Sequence, residues 1–337
     1  MSKKVLILVI VIAGLLTTLG TVLLARVQGQ PSETKQSAAT DDWPVPDIGQ
    51  LPNDKFGQMV RFGKELMEKT PKYLGPEAAD PSKRYAGNNL DCTSCHPDGG
   101  TRKFVNPFVG NFADFPQYRA REDAVGTIED RINGCMERSM NGRPLPLDSV
   151  EMKAMTAYLK FMSTGVPVGK AIAGRGTPKL ELIDRAADPV KGKEVYGQFC
   201  VQCHGENGQG KRVGKIGDGQ GYQIPPLWGP DSYNTGAGVY HVTLLARFVK
   251  AAMQGRPGQP QPELSIEQAF DVAAFVDSMP RPQKANLEAD FPARKNKPVD
   301  SDFPPYLPGI SPTQHKYGPF KPLLDERAKV YGETPQG

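Results

Sequence analysis

The sequence is poor in the residues and patterns that several common classes of protein require. Histidine occurs four times and cysteine five times among 337 residues, which leaves little for a zinc site. The 41 Lys and Arg residues nearly balance 37 Asp and Glu and are scattered, so no basic patch for nucleic acid is predicted. No alternating apolar pattern is long enough to predict a buried strand. These absences favour a helical protein that does not bind nucleic acid.

Four of the five cysteines and two of the four histidines lie in two motifs with the same spacing. The motifs are Cys92-Thr-Ser-Cys95-His96 and Cys200-Val-Gln-Cys203-His204. C-x-x-C-H is the pattern by which a chain holds a c-type haem through two thioethers and a proximal histidine. A zinc site would need further ligands at matching spacing, and only Cys135, His241 and His315 are left. The sequence therefore predicts two covalently bound haem c groups.

Both motifs lie in a diverged internal repeat. Gly63-Lys64-Glu65-Leu66 precedes the first motif, and Gly192-Lys193-Glu194-Val195 precedes the second. Downstream, Met140-Asn-Gly-Arg-Pro144 parallels Met253-Gln-Gly-Arg-Pro257. Each half therefore runs from a helix through the haem motif to a loop that offers a sulfur ligand.

An amphipathic stretch closes each half of the repeat. Residues 149–163 and 265–278 carry apolar side chains at helical spacing. Asp148-x-x-Glu151 and Ser265-x-x-Gln268, where these stretches begin, are predicted capping boxes. The order of helix, haem motif, sulfur-bearing loop and closing helix is typical of a small cytochrome c domain. We therefore predict an all-α fold with two cytochrome c-type haem domains in tandem.

The amino terminus begins with a long apolar run. Residues 5–25 are 21 uncharged residues after Lys3 and Lys4, and as a helix they would rise roughly 31 Å, enough to cross a membrane. A cleaved signal peptide has a shorter apolar region and a small-x-small site, which Leu24-Ala25-Arg26-Val27 does not provide. We predict a transmembrane helix that anchors the chain on the periplasmic side of the bacterial cytoplasmic membrane. Cleavage, giving a soluble periplasmic protein, is the alternative.

The predicted organisation divides the chain into six segments. They are an anchor or signal (1–26), a flexible linker (27–52), a first cytochrome c domain (53–163), an interdomain linker (164–187), a second cytochrome c domain (188–283) and an extended Pro-rich arm (284–337). The flexible linker is predicted from its polar and proline content. The arm is predicted from its prolines and its lack of periodicity, and it is too short and too polar to form a third core.

Each six-coordinate haem needs a second axial ligand, and that ligand sets the redox potential. In the second half, Met253 follows His204 by 49 positions and lies just before the closing helix, an ordinary place for a thioether ligand. Core packing by Met253 is one alternative. Ligation by Lys250, three residues earlier on the same helical face, is another.

The first half offers two sulfur ligands. The repeat favours Met140, whereas Cys135 is the cysteine left outside the haem motifs and follows His96 by 39 positions. Arg131 and Arg138 lie close to Cys135 in the sequence, and their charges would lower its pKa and favour the thiolate. A buried, inert cysteine is the plain alternative. The residues alone leave Cys135 and Met140 both open.

Four segments together resemble the dihaem thiosulfate dehydrogenase family. They are Phe115–Asp123, Arg131–Pro146, Pro225–Gly238 and Gln314–Phe320, within a resemblance that covers about residues 53–322. In that family the first haem has a His/Cys axial pair and is the active site, and the second haem passes electrons on. The resemblance implies His96 with Cys135 as ligands of the first haem and His204 with Met253 as ligands of the second.

The resemblance also implies the residues of the substrate pocket. Carried over by motif, Arg121, Arg131 and Ser139 line this pocket and act with Cys135 in catalysis, while Met140 becomes a packing residue. Some relatives have a lysine directly before the methionine ligand and exchange the two ligands. Here the neighbour is Ala252, which argues against exchange through Lys250.

The implied reaction joins two thiosulfates into tetrathionate and passes two electrons to an external acceptor, another cytochrome or an oxidase. Guanidinium groups bind such oxyanions through forked, charge-assisted hydrogen bonds. The same site would serve the reverse reaction, tetrathionate reduction. Two alternatives stay open: a membrane-anchored dihaem electron carrier without catalytic activity, and a haem-thiolate subunit that acts with a sulfur-carrier protein.

Overall fold

Helices make up most of the secondary structure in residues 45–253 and 263–332, the part of the chain that the computed structural model describes. The first domain contains α1 (Lys55–Glu68), α2 (Thr70–Leu74), α3 (Pro97–Gly100), α4 (Ile128–Glu137) and α5 (Val150–Phe161). The second domain contains α6 (Pro189–Phe199), α7 (Val201–His204), α8 (Val242–Ala252) and α9 (Ile266–Ser278). The carboxy-terminal arm contains α10 (Pro312–Tyr317) and α11 (Lys321–Tyr331). Single 3-10 turns occur at Ile48–Gln50, Pro81–Lys83, Cys92–Ser94, Phe112–Asp114, Gly238–Tyr240, Leu287–Ala289 and Arg294–Asn296.

The same helix crossing organises both domains and explains the glycines of the repeat. α1 packs against α5 in the first domain, and α6 packs against α9 in the second. A side chain at Gly63 would collide with the backbone oxygen of Ala154, and one at Gly192 would collide with that of Asp271. Because glycine has no side chain, each pair of helices approaches until the two backbones are in contact. The repeated Gly-Lys-Glu thus marks the point at which α5 crosses α1 in the first domain and α9 crosses α6 in the second.

Apolar side chains around each crossing form one core per domain. The first core includes Val60, Leu66, Met152, Met155 and Tyr158, and the second includes Val195, Leu245, Phe270, Ala273 and Val276. The Tyr158 hydroxyl donates a hydrogen bond to the backbone oxygen of Gly99 at 2.7 Å. This bond ties the closing helix of the first domain to the segment just after the first haem motif.

The closing helices begin as predicted in one domain and one residue later in the other. Ser265 Oγ accepts from the Gln268 backbone N–H at 3.1 Å and Gln268 Oε1 accepts from the Ser265 N–H at 2.8 Å, so the second capping box is confirmed. The prediction for Asp148 is wrong, because Ser149 caps α5 and accepts from the Met152 N–H at 3.1 Å. The Glu151 carboxylate forms an ion pair with Lys83 at 2.8 Å and is not part of a capping box.

Two short antiparallel ribbons modify the all-α prediction. β1 (Gln117–Arg119) pairs with β2 (Ala124–Gly126), and β3 (Lys211–Arg212) pairs with β4 (Tyr222–Ile224). Strands of two or three residues are too short to leave an alternating pattern in the sequence. The fold has the two helical cores that the repeat predicts, and it is mostly helical rather than purely helical.

The carboxy-terminal arm is more structured than a wholly extended segment, so that part of the prediction is wrong. Pro312 and Pro322 lie in the first turn of α10 and α11, where proline favours a helix start rather than breaking the helix. Phe320 and Leu323 are fully buried, and Phe320 joins the core of the second domain. Asp290 of the arm pairs with side chains of the first domain, so the arm contacts both domains.

The predicted membrane segment lies outside the described residues. Residues 1–44, which include the predicted anchor or signal and most of the flexible linker, are not part of the description. Among the residues described, we find no helix with the length and apolar character needed to cross a membrane.

Candidate haem sites and active site

The first haem motif opens onto a cavity in the first domain. The space between its walls is about 740 Å³, part of it open to solvent. Its apolar lining comes from Met67, Leu90, Phe108, Ile128, Ile132, Met136, Met155 and Leu159. Cys92, Cys95 and His96 also lie on its wall. Two attachment thiols and an imidazole on an apolar wall are the donor set that a covalent haem requires, so these residues fit the group.

Two contacts orient the His96 ring. Its Nδ1 hydrogen bonds to the backbone oxygen of Asn106, and its ring lies 4.5 Å from the Phe108 ring, measured between centroids. Because Nδ1 is engaged by a backbone carbonyl, Nε2 is the ring nitrogen left for a metal. Ligating histidines are commonly fixed in this way.

Cys135 lies on α4 and faces the first haem motif across the cavity. Its sulfur accepts a hydrogen bond from Nη1 of Arg131 at 2.7 Å, and it lies close enough to the His96 ring for that ring to lower its pKa. Cys135 and Arg131 are four residues apart and therefore lie on the same face of α4. Met140 also lines this cavity and is buried. The structure thus brings both candidate sulfur ligands to the cavity, with Cys135 close to His96.

The three thiols of this cavity differ in acidity. Burial raises the pKa of Cys92 and of Cys95 to about 12. Burial also acts to raise the pKa of Cys135, but the charge of Arg131 and the hydrogen bond and charge of His96 outweigh it and lower the pKa to about 6. All five cysteines lie in the described ranges, and none of them forms a disulfide there. Of the three thiols, Cys135 is the one that its neighbours stabilise as a thiolate near neutral pH.

The predicted substrate residues are divided between two places. Arg131 and Ser139 line the cavity with Cys135. Arg121 is not among the lining residues, because its Nη1 donates to Asp290 Oδ2 at 2.7 Å and to the Gly236 backbone oxygen at 3.1 Å. The sequence therefore predicted three residues at one site, and the structure places two of them there.

Asp290 is a charged partner that the sequence analysis missed. It lies in the carboxy-terminal arm and accepts hydrogen bonds from Arg121 and from Arg138 Nη2, each at 2.7 Å. The Arg121 guanidinium also lies 5.0 Å from the centre of the Phe291 ring. Asp290 is 169 residues from Arg121, in a segment without periodicity, so no local pattern in the sequence predicts the pair.

The second haem motif shows the same histidine arrangement as the first. His204 is buried, and its Nδ1 hydrogen bonds to the backbone oxygen of Pro225 at 3.1 Å. Cys200 follows α6, and Cys203 and His204 lie on α7 directly after it. The donor set of two thiols and one imidazole therefore fits a second covalent haem.

Met253 and Lys250 lie at the end of α8. Met253 is the last residue described before the gap at 254–262, and 38% of its surface is exposed. The Lys250 ammonium donates to Glu263 Oε1 at 3.2 Å and to the backbone oxygen of Leu264 at 2.5 Å. Lys250 is therefore engaged by the segment that leads into α9, whereas the Met253 thioether is accessible.

Comparisons with known proteins match both domains and most of the chain. Residues 82–168 match the SoxA/TsdA cytochrome c domain family, and residues 189–280 match the cytochrome c family. The chain is 38% identical over 261 residues to thiosulfate dehydrogenase of Thiomonas intermedia, covering 77% of this chain and 78% of that protein. It is 43% identical over 242 residues to thiosulfate dehydrogenase of Allochromatium vinosum, covering 71% of this chain and 84% of that protein.

A solved structure extends the match to the fold. Thiosulfate dehydrogenase TsdBA from Marichromatium purpuratum, in its as-isolated form, is 31% identical with a TM-score of 0.65. The match covers 77% of this chain and 53% of the solved chain, so this chain spans about half of that longer one. Each of the two domain matches contains one C-x-x-C-H motif. The chain belongs to the dihaem cytochrome c thiosulfate dehydrogenase family.

Proposed function

We propose that this chain oxidises two thiosulfates to tetrathionate at the first haem site, where His96 and Cys135 would ligate the haem. Electrons would leave through the second site, where His204 and Met253 would ligate the haem, to another cytochrome or an oxidase. One observation carries the proposal: in a single cavity, Cys135 lies close to His96 and accepts a hydrogen bond from the Arg131 guanidinium. The reverse reaction, tetrathionate reduction, uses the same residues.

The reaction balances without any proton transfer. When bound, two haems accept one electron each, which matches the two electrons released as two thiosulfates are joined. The Cys135 thiolate forms a sulfur–sulfur bond to the sulfane sulfur of the first thiosulfate in the step that releases those electrons. The sulfane sulfur of a second thiosulfate then attacks the bound sulfane sulfur. The bond to Cys135 breaks, its electron pair stays on Cys135, and tetrathionate leaves with two negative charges.

Arg131 and Ser139 make this sequence feasible for anionic substrates. Thiosulfate is a dianion, and two of them must approach one thiolate. The Arg131 guanidinium offsets this repulsion and offers forked donors to the sulfonate oxygens. The Ser139 hydroxyl on the same cavity wall supplies a further donor. Arg121 lies outside the cavity lining and pairs with Asp290, and we propose it as a further substrate-binding cation on the strength of the family resemblance.

A turnover assay separates this function from its two alternatives. A simple electron carrier leaves the contact between Cys135 and Arg131 without a use, and a haem-thiolate subunit requires a sulfur-carrier protein. We expect the isolated chain, with both haems, to form tetrathionate steadily from thiosulfate and an artificial electron acceptor. A single burst, or no product until a carrier protein is added, would favour an alternative.

We expect Met253→Ala to change the second haem site without removing it. Loss of the thioether should abolish the long-wavelength sulfur-to-iron absorption of the oxidised protein and slow the reduction of the acceptor. Met279→Ala is the control, because Met279 follows α9 and packs against the core of the same domain. Absorption that persists in Met253→Ala and disappears in Met279→Ala would assign the ligand to Met279.

We also propose that residues 1–26 stay attached as a membrane anchor, so that the catalytic domains work on the periplasmic side. The support is the apolar run of residues 5–25 behind Lys3 and Lys4. Mass spectrometry of the protein purified from membranes is expected to find peptides from residues 1–26. A mature amino terminus near Val27 or Gln28 would instead establish cleavage and a soluble periplasmic protein.

A further inference from the structure

The helix that carries Cys135 ends close to this residue, and its end needs hydrogen-bond donors. α4 stops at Glu137, two residues after Cys135. The last carbonyls of a helix have no partner within the helix. Here the Cys135 oxygen accepts from the backbone N–H groups of Arg138 and Met140, at 3.2 and 2.9 Å. The next carbonyls along the chain are satisfied from outside α4.

The Met136 oxygen accepts from the Gly142 N–H at 2.8 Å and the Arg138 oxygen from the Asn141 N–H at 3.1 Å, and Asn234 of the second domain supplies two further donors. Its Nδ2 donates to the Glu137 oxygen at 2.9 Å and to Asn141 Oδ1 at 3.0 Å, and its backbone N–H donates to the Arg138 oxygen at 3.2 Å. Its Oδ1 accepts from the Gly236 N–H at 3.0 Å. Asn234 is 2% exposed, so both ends of its amide are buried and paired.

Asn88 makes a second bridge at the same place from the first domain. Its Nδ2 donates to the Ser139 oxygen at 2.9 Å and to the Ser232 oxygen at 3.1 Å, and the residue is fully buried. One amide group thus joins the segment after α4 to the loop that contains Asn234. We call residues 231–236 the clasp loop.

The clasp loop is itself fixed to the segment that follows α9. The Thr235 N–H donates to the Pro282 oxygen at 3.1 Å, and Thr235 Oγ1 accepts from the Lys284 N–H at 3.0 Å. Just before the loop, the Gly229 N–H donates to the Pro280 oxygen at 2.7 Å. A continuous set of backbone and amide hydrogen bonds therefore runs from the closing helix of the second domain to the helix that carries Cys135.

We infer that Asn234 is a positioning residue for Cys135, through which the second domain holds the end of α4 and so the Cys135 sulfur opposite His96. The inference rests on the proposed function, because it assumes that this sulfur is an axial ligand and the catalytic thiol. Loss of the Asn234 amide leaves the part-buried Glu137 oxygen without this donor, and we expect the last turn of α4 to shift as that oxygen finds another. Displacement of a reacting group by about 1 Å can lower a rate roughly 100-fold.

The test compares two Asn234 variants with the wild type and with Cys135→Ala, all as dihaem proteins. Asn234→Ala removes the amide, and Asn234→Asp keeps its shape but replaces the donor with an oxygen. Both are expected to retain two covalent haems. Electron paramagnetic resonance of the oxidised proteins should show the thiolate-ligated ferric signal diminished and a second ferric species present. We expect kcat to fall roughly 10- to 100-fold, with a smaller change in KM.

Arg212→Gln is the matched control. Arg212 pairs with Glu77 across the same domain boundary and lies 3.6 Å from Asp231 at the start of the clasp loop, and in the described part of the chain its ion pairs go to these two residues rather than to α4. This variant is expected to lose thermal stability but to keep the wild-type thiolate signal. A wild-type signal and kcat in both Asn234 variants, or equal loss of the signal in Arg212→Gln, would overturn the inference. Identical spectra for the wild type and Cys135→Ala would instead reject the axial pair of the proposed function.

Discussion

Replacement of Cys135 by alanine is expected to abolish tetrathionate formation while both haems stay covalently attached. His96 and the thioethers of Cys92 and Cys95 do not depend on the Cys135 sulfur, so the first haem remains in place. The variant has no thiolate to form the bond to sulfane sulfur. Removal of a nucleophile typically lowers kcat by roughly 10⁴-fold or more. A tetrathionate assay measures the loss of activity. Pyridine haemochrome quantitation and the spectrum of the oxidised protein measure the haems that remain.

Met140→Ala is the control for Cys135→Ala, because Met140 is the ligand that the internal repeat favours. Met140 lines the same cavity and is 3% exposed. As a packing residue it should contribute only stability, with a cost of about 2 to 5 kcal/mol and unchanged ligation of the first haem. An active Cys135→Ala together with a high-spin first haem in Met140→Ala would reverse the assignment. The plain electron carrier would then be the better interpretation.

Local patterns in the sequence predicted the features that short segments determine by themselves. Each C-x-x-C-H motif, the capping box at Ser265 and the helical spacing of 265–278 depend on residues within a few positions of one another. The closeness of Arg131 and Cys135 is of the same kind, because four residues form about one turn of α4. The sequence could therefore predict that a helix places the Arg131 cation next to the Cys135 thiol, without knowledge of where that helix lies in the fold.

Features that join distant segments were not predictable in this way. Asn234 contacts Glu137 across 97 residues, and Asp290 contacts Arg138 across 152. An asparagine or aspartate in an irregular loop belongs to no periodic pattern from which its distant partner could be predicted. The misplaced cap at Asp148 has a different cause. Asp148 and Ser149 are adjacent good cap residues, so the sequence alone does not choose between them, and in the structure Ser149 is the cap while Glu151 pairs with Lys83.

Arg131→Gln is expected to lower kcat/KM for thiosulfate roughly 100-fold or more, because one guanidinium performs two tasks. Its Nη1 lies 2.7 Å from the Cys135 sulfur and its charge lowers the pKa of that thiol. It also offers donors to the incoming dianion. Each charge-assisted hydrogen bond contributes about 1.5 to 3 kcal/mol, and about 1.4 kcal/mol corresponds to a factor of ten. Initial rates over a range of thiosulfate concentrations measure kcat and KM separately.

Two further variants separate the charge of Arg131 from its shape. Arg131→Lys keeps a cation without the planar fork, so we expect kcat to recover more than KM. Arg143→Gln removes one positive charge from the same domain outside the cavity lining, where the guanidinium stacks 3.9 Å from the centre of the Tyr85 ring. It should leave both constants near the wild-type values. If Arg143→Gln weakens catalysis as much as Arg131→Gln, the effect comes from the overall charge of the domain, and the contact between Arg131 and Cys135 has no special part in the reaction.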